Sequence, residues 1–203
     1  MDMDPALLTH TGCYQLLISC IVPRPVSWVS TVAEDGVLNL APFSFFTGIC
    51  AKPPTICFSV VRRRGEKKDT LHNIEATGEV VVNVVSERFA QAMNQTAAEY
   101  PPEVDEFAAA GLIPVTSERV RPPRVQGALI SMECNLIEVR EYGEMPYAAS
   151  LIIGQVVLFH LDDETYRDGA VDFAALGAVG RMGRDIYCCT SDIFEMKRPQ
   201  LEP

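Results

Sequence analysis

Five cations crowd into seven residues of this chain, Arg62, Arg63, Arg64, Lys67 and Lys68, with Glu66 the one acid among them. The segment therefore carries +4 (five cations less Glu66), while the whole chain carries −10, so it opposes the charge of its own protein. Ahead of it the apolar run from Ile56 to Val61 reads as a strand. Behind it Asp69-Thr70 opens a helix-like segment carrying Leu71 and Ile74. A helix start presents unpaired N–H groups and a partial positive charge, and lysine or arginine beside them makes a phosphate site. Most charge runs are solvated surface; this one is set apart by its place between strand and helix. Neither GxxxxGK(S/T) nor GxGxxG is present, so neither of those phosphate cradles is available. The chemistry expected is the holding of a phosphorylated small ligand.

Other reactive residue types are scattered. His10, His72 and His160 lack HxxxH or HxH spacing, which argues against a metal centre. No convincing Ser-His-Asp order is present, and the many acids read as a solvated face. The seven cysteines (13, 20, 50, 57, 134, 188, 189) are odd in number and show no CxxC spacing. Cys188 and Cys189 are adjacent and would need a strained ring to bridge. They are expected as reduced thiols in a cytoplasmic protein, mostly as small core residues.

The elements that must position the basic loop are mostly strands. VSWVST (26–31), the Asp35-Gly36 turn and VLNLA (37–41) predict a hairpin. Phe45 to Cys50 and Thr55 to Val61 follow, parted by AKPP, and together these runs predict an antiparallel meander closing into a barrel. After a helix near 69–77, Gly78 and EVVVNVV (79–85) predict a stop and another strand. Residues 86–125 hold a short helix (86–93) and proline-fixed loops, an insertion of the kind that covers a site or an interface. ALISMECNLIEVREY alternates until the phase flips at Ile137, the signature of a bulge. Leu151 to Leu161 is apolar on both faces, which predicts barrel interior on one side and a partner or helix on the other. Residues 5–20 suit a short helix or lead-in arm, and the tail holds a short helix, a glycine-rich loop (177–183) and an extended end.

At 203 residues, 48% hydrophobic, the chain has the size of one domain with a proper core, and 1–203 reads as a single unit. The net −10 argues against nucleic acid or an anionic membrane as the main partner. The acidic N-terminus lacks the pattern of a secretion signal, and no window approaches about 18 uninterrupted apolar residues.

Seven segments, VPRPVSWVST (22–31), DGVLNLAPFSFF (35–46), KPPTICFSV (52–60), KDTLHNI (68–74), GEVVVNVV (78–85), IIGQVV (152–157) and GRMGRDIY (180–187), together resemble the flavin reductase-like, FMN-binding split-barrel proteins of the flavoredoxin type. The resemblance spans residues 20 to 198 in order. It implies a mainly β fold, a six-stranded antiparallel split barrel with short peripheral helices. It also implies a homodimer that binds FMN, with FAD as the lesser alternative.

Placed on that frame, the FMN phosphate belongs at Lys68-Asp69-Thr70, with Lys68 supplying charge and Thr70 a hydroxyl. Asp69 is expected to cap the backbone or to orient Lys68 or an arginine. Ser59 and Arg62 are the expected second phosphate ligands, Arg62 being preferred to its neighbours because it lies nearest the strand. The ring is expected against Asn39, Ala41, Pro42, Phe43, Ser44 and Phe45, where Pro42 frees backbone groups. Ser27, Trp28, Ser30 and Thr31 are expected to face the same slot; without the family context Trp28, Phe43 and Phe45 would be read as core. Arg181 and Tyr187, in the GRMGRDIY block, are expected at the flavin or the dimer interface. The activity implied is hydride passage from NAD(P)H to flavin and onward to a small molecule or an acceptor protein. The alternatives are an FMN-binding electron carrier without nicotinamide activity, or a relative holding another ligand such as haem.

Overall fold

Runs of Val, Ile, Phe and Thr broken by Asp-Gly, Lys-Pro-Pro and single glycines favour antiparallel strands, and the chain pairs seven of them into one sheet. The structure is a computed structural model, and it describes residues 1–200. In chain order the strands are β1 Ser27–Val32, β2 Leu38–Phe43, β3 Phe46–Ala51, β4 Pro54–Val61, β5 Glu79–Val84, β6 Ile130–Tyr142 and β7 Ala149–Leu161. Their spatial order is β2-β1-β5-β6-β7-β4-β3, antiparallel throughout. This corrects the expected six-stranded barrel: Phe46–Ala51 forms a seventh strand of its own, paired with β4. The two edge strands, β2 and β3, are consecutive in sequence and joined only by Ser44 and Phe45. The sheet must therefore curl until its edges lie one short link apart. No ladder joins them among the described residues, so the barrel stays split along β2.

Two cores follow from the alternation of side chains along the strands. Inside the curl, Val29, Phe58, Val60, Val80, Val82, Met132, Ile152 and Val156 pack together, and the helix Asp69–Thr77 lays Leu71 and Ile74 against them. That helix stops at Gly78, whose φ of +70° is a left-handed cap costly for any residue with a Cβ. Outside the curl, Val26, Trp28, Leu40 and Val85 meet Met93, Phe107 and Val125 of the 86–125 insertion. Each such large side chain contributes roughly 1.5–3 kcal/mol on burial. The insertion is pinned by polar groups as well. The Glu133 carboxylate accepts from the amides of Glu118 and Arg119 at 2.8 and 2.6 Å, and Asn83 Oδ1 accepts from the Val125 amide at 3.1 Å.

The expected bulge is present: Ile153 faces Glu138 and Gly154 faces Leu136, so Ile137 is the extra residue, left 53% exposed. On β7, Ile152 and Val156 are buried while Leu151, Ile153 and Val157 are half-buried and Phe159 is exposed. Within one chain, then, only one face of that strand is fully covered. The N-terminal segment does form a helix, His10–Cys20, capped by the Thr9 hydroxyl accepting from the Gly12 amide at 3.1 Å. A small three-stranded sheet joins Arg24–Pro25, Val179–Arg181 and Tyr187–Cys189. Its tightness explains Gly180: a Cβ there would lie 2.9 Å from both Cys188 Sγ and Pro23 Cβ.

Of the seven cysteines, all free thiols, only Cys134 is buried; Cys20, Cys50 and Cys189 are exposed. The expectation of mostly core cysteines is corrected, because several fall on the half-open small sheet and on the edge strand β3. Burial, aided by the Glu133 charge, pushes the Cys134 thiol up to about 12, so it stays protonated. No helix among the described residues is long and apolar enough to cross a membrane.

Candidate functional site

A cleft of about 710 Å³ opens along the unpaired edge of β2, well inside the size range of small-molecule sites. Asn39, Ala41, Pro42 and Ser44 of that edge form its floor. Tyr14, Gln15 and Ile18 of the N-terminal helix, the loop and helix start at 63–70, residues 96–100 of the insertion, and Arg181 to Tyr187 form its walls. Seven cationic and five acidic side chains line it, so the cleft is net positive in a protein of charge −10. Pro42 sits on a strand edge because it has no N–H to offer a ladder, and its free edge is what the cleft uses.

The phosphate-type end is built by the helix Asp69–Thr77. The amides of Asp69 and Thr70 are the first two of that helix and have no intrahelical acceptor; Lys68 is the N-cap residue, its carbonyl already taken by Leu71 and His72. Among the described residues the Lys68 amine makes no ion pair, and lies 5.5 Å from the centre of the Phe43 ring. The cleft walls remove enough water to lower its pKa from the ordinary lysine value, and the charge of Arg63 lowers it further while Glu99 opposes.

Its neighbours in the basic loop are committed elsewhere. Arg62 pairs with Glu141 at 2.9 Å, Arg63 with Glu99 at 2.5 Å, and Lys67 with Glu75 at 2.6 Å, while Arg64 stands 3.8 Å from Glu99. The +4 of the loop is thus largely neutralised by carboxylates from the helix, the insertion and β6. Arg62, the arginine preferred from the sequence, is held by Glu141 and does not line the cleft, whereas Arg63 and Arg64 do.

Behind the helix start lies a buried polar chain. Asn73 Nδ2 donates to Thr31 Oγ1 at 3.0 Å, Thr31 and Thr70 hydroxyls both donate to Asn39 Oδ1 at 3.1 and 2.8 Å, and Asn39 Nδ2 donates to Glu106 Oε1 at 3.0 Å. Glu106 Oε2 accepts from the Leu40 amide at 3.0 Å. Burial raises the Glu106 pKa, though its hydrogen bonds resist the shift. The Thr70 hydroxyl therefore faces Asn39, and what Thr70 presents to the cleft is its backbone amide. Asp69 makes neither a cap bond nor an ion pair among the described residues.

Of the sixteen sequence-derived candidates, the fold brings eight to the cleft: Asn39, Ala41, Pro42, Ser44, Lys68, Asp69, Thr70 and Arg181. The others lie off it. Trp28 is fully buried under the insertion, its Nε1 donating to Thr96 Oγ1 at 2.9 Å, and Ser30 shares that face of β1. Ser27 and Thr31 point to the opposite face, with Ser27 Oγ donating to the Phe43 carbonyl and Thr31 in the polar chain. The four could not share one slot because strand residues alternate in direction. Phe43 stacks obliquely on Phe58 in the inner core, Phe45 lies beneath the Arg24 guanidinium at 5.8 Å, and Ser59 is half-buried within β4.

At the far end of the cleft Arg24, which was not anticipated, joins Arg181 and Tyr187, which were. Arg24 is only 4% exposed, yet donates to the carbonyls of Ile18, Ile21 and Met182 at 2.7, 2.6 and 2.6 Å, with Ser44 Oγ at 3.4 Å. It ties the N-terminal helix, the edge strand and the turn at 181–185 together. Arg181 stacks on Tyr187 at 4.4 Å, donates to its hydroxyl and to the Arg184 carbonyl, and lies 4.0 Å from Asp185.

The Flavin reductase like domain model matches residues 18–175, most of the chain. The chain belongs to that family. An uncharacterized protein of Halalkalibacterium halodurans is 38% identical, the match covering 99% of this chain and 98% of that one. Among solved structures, nitrilotriacetate monooxygenase component B from Bacillus cereus is 38% identical with a TM-score of 0.93, covering 97% of this chain and 98% of that one. Pseudomonas fluorescens 2-nitrobenzoate 2-nitroreductase is 27% identical with a TM-score of 0.90, covering 100% and 98%. The cleft on β2 has room for a small-molecule ligand and a surplus of cations along its walls. Arg24 and Tyr14 escaped the sequence reading because the one stands between two prolines and the other in an unremarkable helix; only the fold brings them to the cleft.

Proposed function

We propose that this flavin reductase-like protein binds FMN in the β2 cleft and acts as an oxidoreductase using NAD(P)H. The observation that carries the reading is Lys68: an amine without a carboxylate partner, beside two acceptor-free amides of a nine-residue helix, in a cleft of adequate volume. The donor set fits a phosphate monoester, since a dianion gains from the amine and from both amides. Asn39, Ala41, Pro42 and Ser44 line the cleft along an edge that no further strand pairs with among the described residues. When bound, the flavin supplies two-electron chemistry, taking a hydride from NAD(P)H, which leaves as NAD(P)+, and passing both electrons to an acceptor. The chain's residues need only bind, orient and limit water. Likeness to a monooxygenase component and to a nitroreductase, both redox proteins by name, supports the assignment.

The proposal extends to a homodimer in the cytoplasm. The half-covered outer face of β7, carrying Leu151 and Ile153, and the exposed bulge residue Ile137 are the apolar surface that supports a second copy. An Ile153→Asp variant should sediment as a monomer, and an unchanged mass would remove β7 from the interface. The activity is tested by saturating the protein with FMN and adding NADH or NADPH without oxygen. Loss of the flavin absorbance at catalytic rates supports the reductase. Bleaching by dithionite alone would show a carrier without nicotinamide activity, and failure to retain FMN would overturn the reading.

A further inference from the structure

The cleft has two cationic ends, and only one of them is used by a phosphate monoester. Arg24 and Ser44 touch at one end, Asn39 and Thr70 at the other; Asn39 lies on β2 and Ser44 is the first residue after it. The two are five residues apart, about 17 Å if fully extended. The far end is the less compensated. Arg24 is a nearly sealed guanidinium whose partners among the described residues are three carbonyls and a hydroxyl, with no carboxylate. Among the same residues Arg181 has only Asp185, at 4.0 Å, a carboxylate wholly exposed to water. Arg184 has no acidic partner among the described residues and is held at φ +54°, a left-handed conformation costly for an arginine. The turn that pays this cost faces the cleft.

We infer that Arg181 and Arg184, held in place by Arg24, form a second anion subsite that takes the diphosphate of the nicotinamide dinucleotide. The inference rests on the oxidoreductase reading above. Three guanidinium groups against one exposed carboxylate over-compensate a single carboxylate ligand and suit a diphosphate, for which Arg184 offers a free fork while Arg24 and Arg181, whose donors are engaged, offer charge. Arg24 is a positioning residue here: its hydrogen bonds are spent on carbonyls, and what it contributes is charge and the placement of Met182. A donor anchored at this end has the strand edge between the two subsites along which to lay its nicotinamide.

The test uses ADP as the diphosphate probe, titrated calorimetrically into the protein in excess FMN. Wild type should bind ADP, Arg184→Ala should weaken it about tenfold, and Arg184→Lys should lose less, because charge survives while the fork does not. FMN and FAD affinities should stay within about twofold of wild type in both variants, showing that the exposed Arg184 side chain is not structural. Absence of ADP binding, or binding indifferent to Arg184→Ala, overturns the subsite. So does a selective loss of FAD affinity, which would assign the arginines to the cofactor. A protein that binds ADP as described yet never oxidises NAD(P)H would sink the reductase reading while leaving the diphosphate site standing. Oxidation with an unchanged KM for NAD(P)H in Arg184→Ala would sink the subsite alone.

Discussion

Replacing Lys68 with alanine isolates the one cation of the basic loop that has no carboxylate partner among the described residues. A charge-assisted hydrogen bond contributes about 1.5–3 kcal/mol, and a unit charge at about 4 Å in a partly screened cleft is worth about 4 kcal/mol before desolvation is subtracted. The net expectation is about 1.5–3 kcal/mol, or about 10- to 150-fold in the Kd for FMN. Riboflavin, which has the ring without the phosphate, should lose no more than about twofold by the same argument. Lys67→Ala is the internal control. Its amine is already held by Glu75 at 2.6 Å, so it should weaken FMN by no more than about threefold. Quenching of flavin fluorescence measures all four affinities. Equal losses for FMN and riboflavin, or a Lys67 effect as large as that of Lys68, would refute the placement of the phosphate. The pH dependence adds a second check. Enclosure in the cleft lowers the Lys68 pKa, so FMN affinity should decline with rising pH before an ordinary lysine would deprotonate, and this decline should be missing in Lys68→Ala.

Further outcomes follow from groups outside the phosphate end. Thr96→Val removes the partner of the buried Trp28 indole and should cost about 1–3 kcal/mol, lowering Tm by about 2–12 °C; Trp28 is the sole tryptophan, so its emission reports the change directly. Glu133 is buried, which opposes ionisation, but the Glu118 amide, His160 and the Arg119 amide outweigh burial and hold its carboxyl below the usual glutamate value. The stability it contributes is present above the unfolded pKa of about 4.3 and is lost as pH falls through the folded value, so Glu133→Gln should flatten the decline of Tm below about pH 4.5. Arg24→Lys keeps the charge but cannot reach three carbonyls and Ser44 at once; thermal melting should show a loss of about 1–3 kcal/mol, and an unchanged Tm would deny the clamp.

Most of the strands were legible because their signals are local. The seven apolar runs, the Asp35-Gly36 turn, the Gly78 stop and the phase flip at Ile137 all depend on residues a few positions apart, and each has its counterpart in the fold. The sequence runs themselves numbered seven, as does the sheet; the count of six came from the resemblance. Facing was less legible. Trp28 and Ser30 were grouped with Ser27 and Thr31 although period-two alternation places them on opposite faces, and only the packing of the insertion shows which face is which.

Charge was the least legible property, and the reason is physical. Composition over 62–68 counts cations, but the field in the cleft depends on which carboxylates reach them, and these come from Glu75, Glu99 and Glu141, far apart in sequence. Pairing silences Arg62, Arg63 and Lys67 for ligand binding and leaves Lys68 exposed to whatever enters. At the other end the same logic runs in reverse: Arg24, far away in sequence, meets Arg181 and Arg184, and the acid beside them, Asp185, is 4.0 Å from Arg181 and open to water. An edge strand that must avoid pairing with other chains gains from charges beside it, and here the cations flank the free edge of β2. The features that keep that edge from aggregating are thus the ones that make it a site for a phosphorylated ligand, so Lys68 and Arg184 are expected to trade ligand affinity against solubility when both are removed. A Lys68→Ala, Arg184→Ala double variant should bind neither FMN nor ADP well and should aggregate at lower concentration than either single variant, as light scattering would show; a double variant as soluble as wild type would separate the two roles.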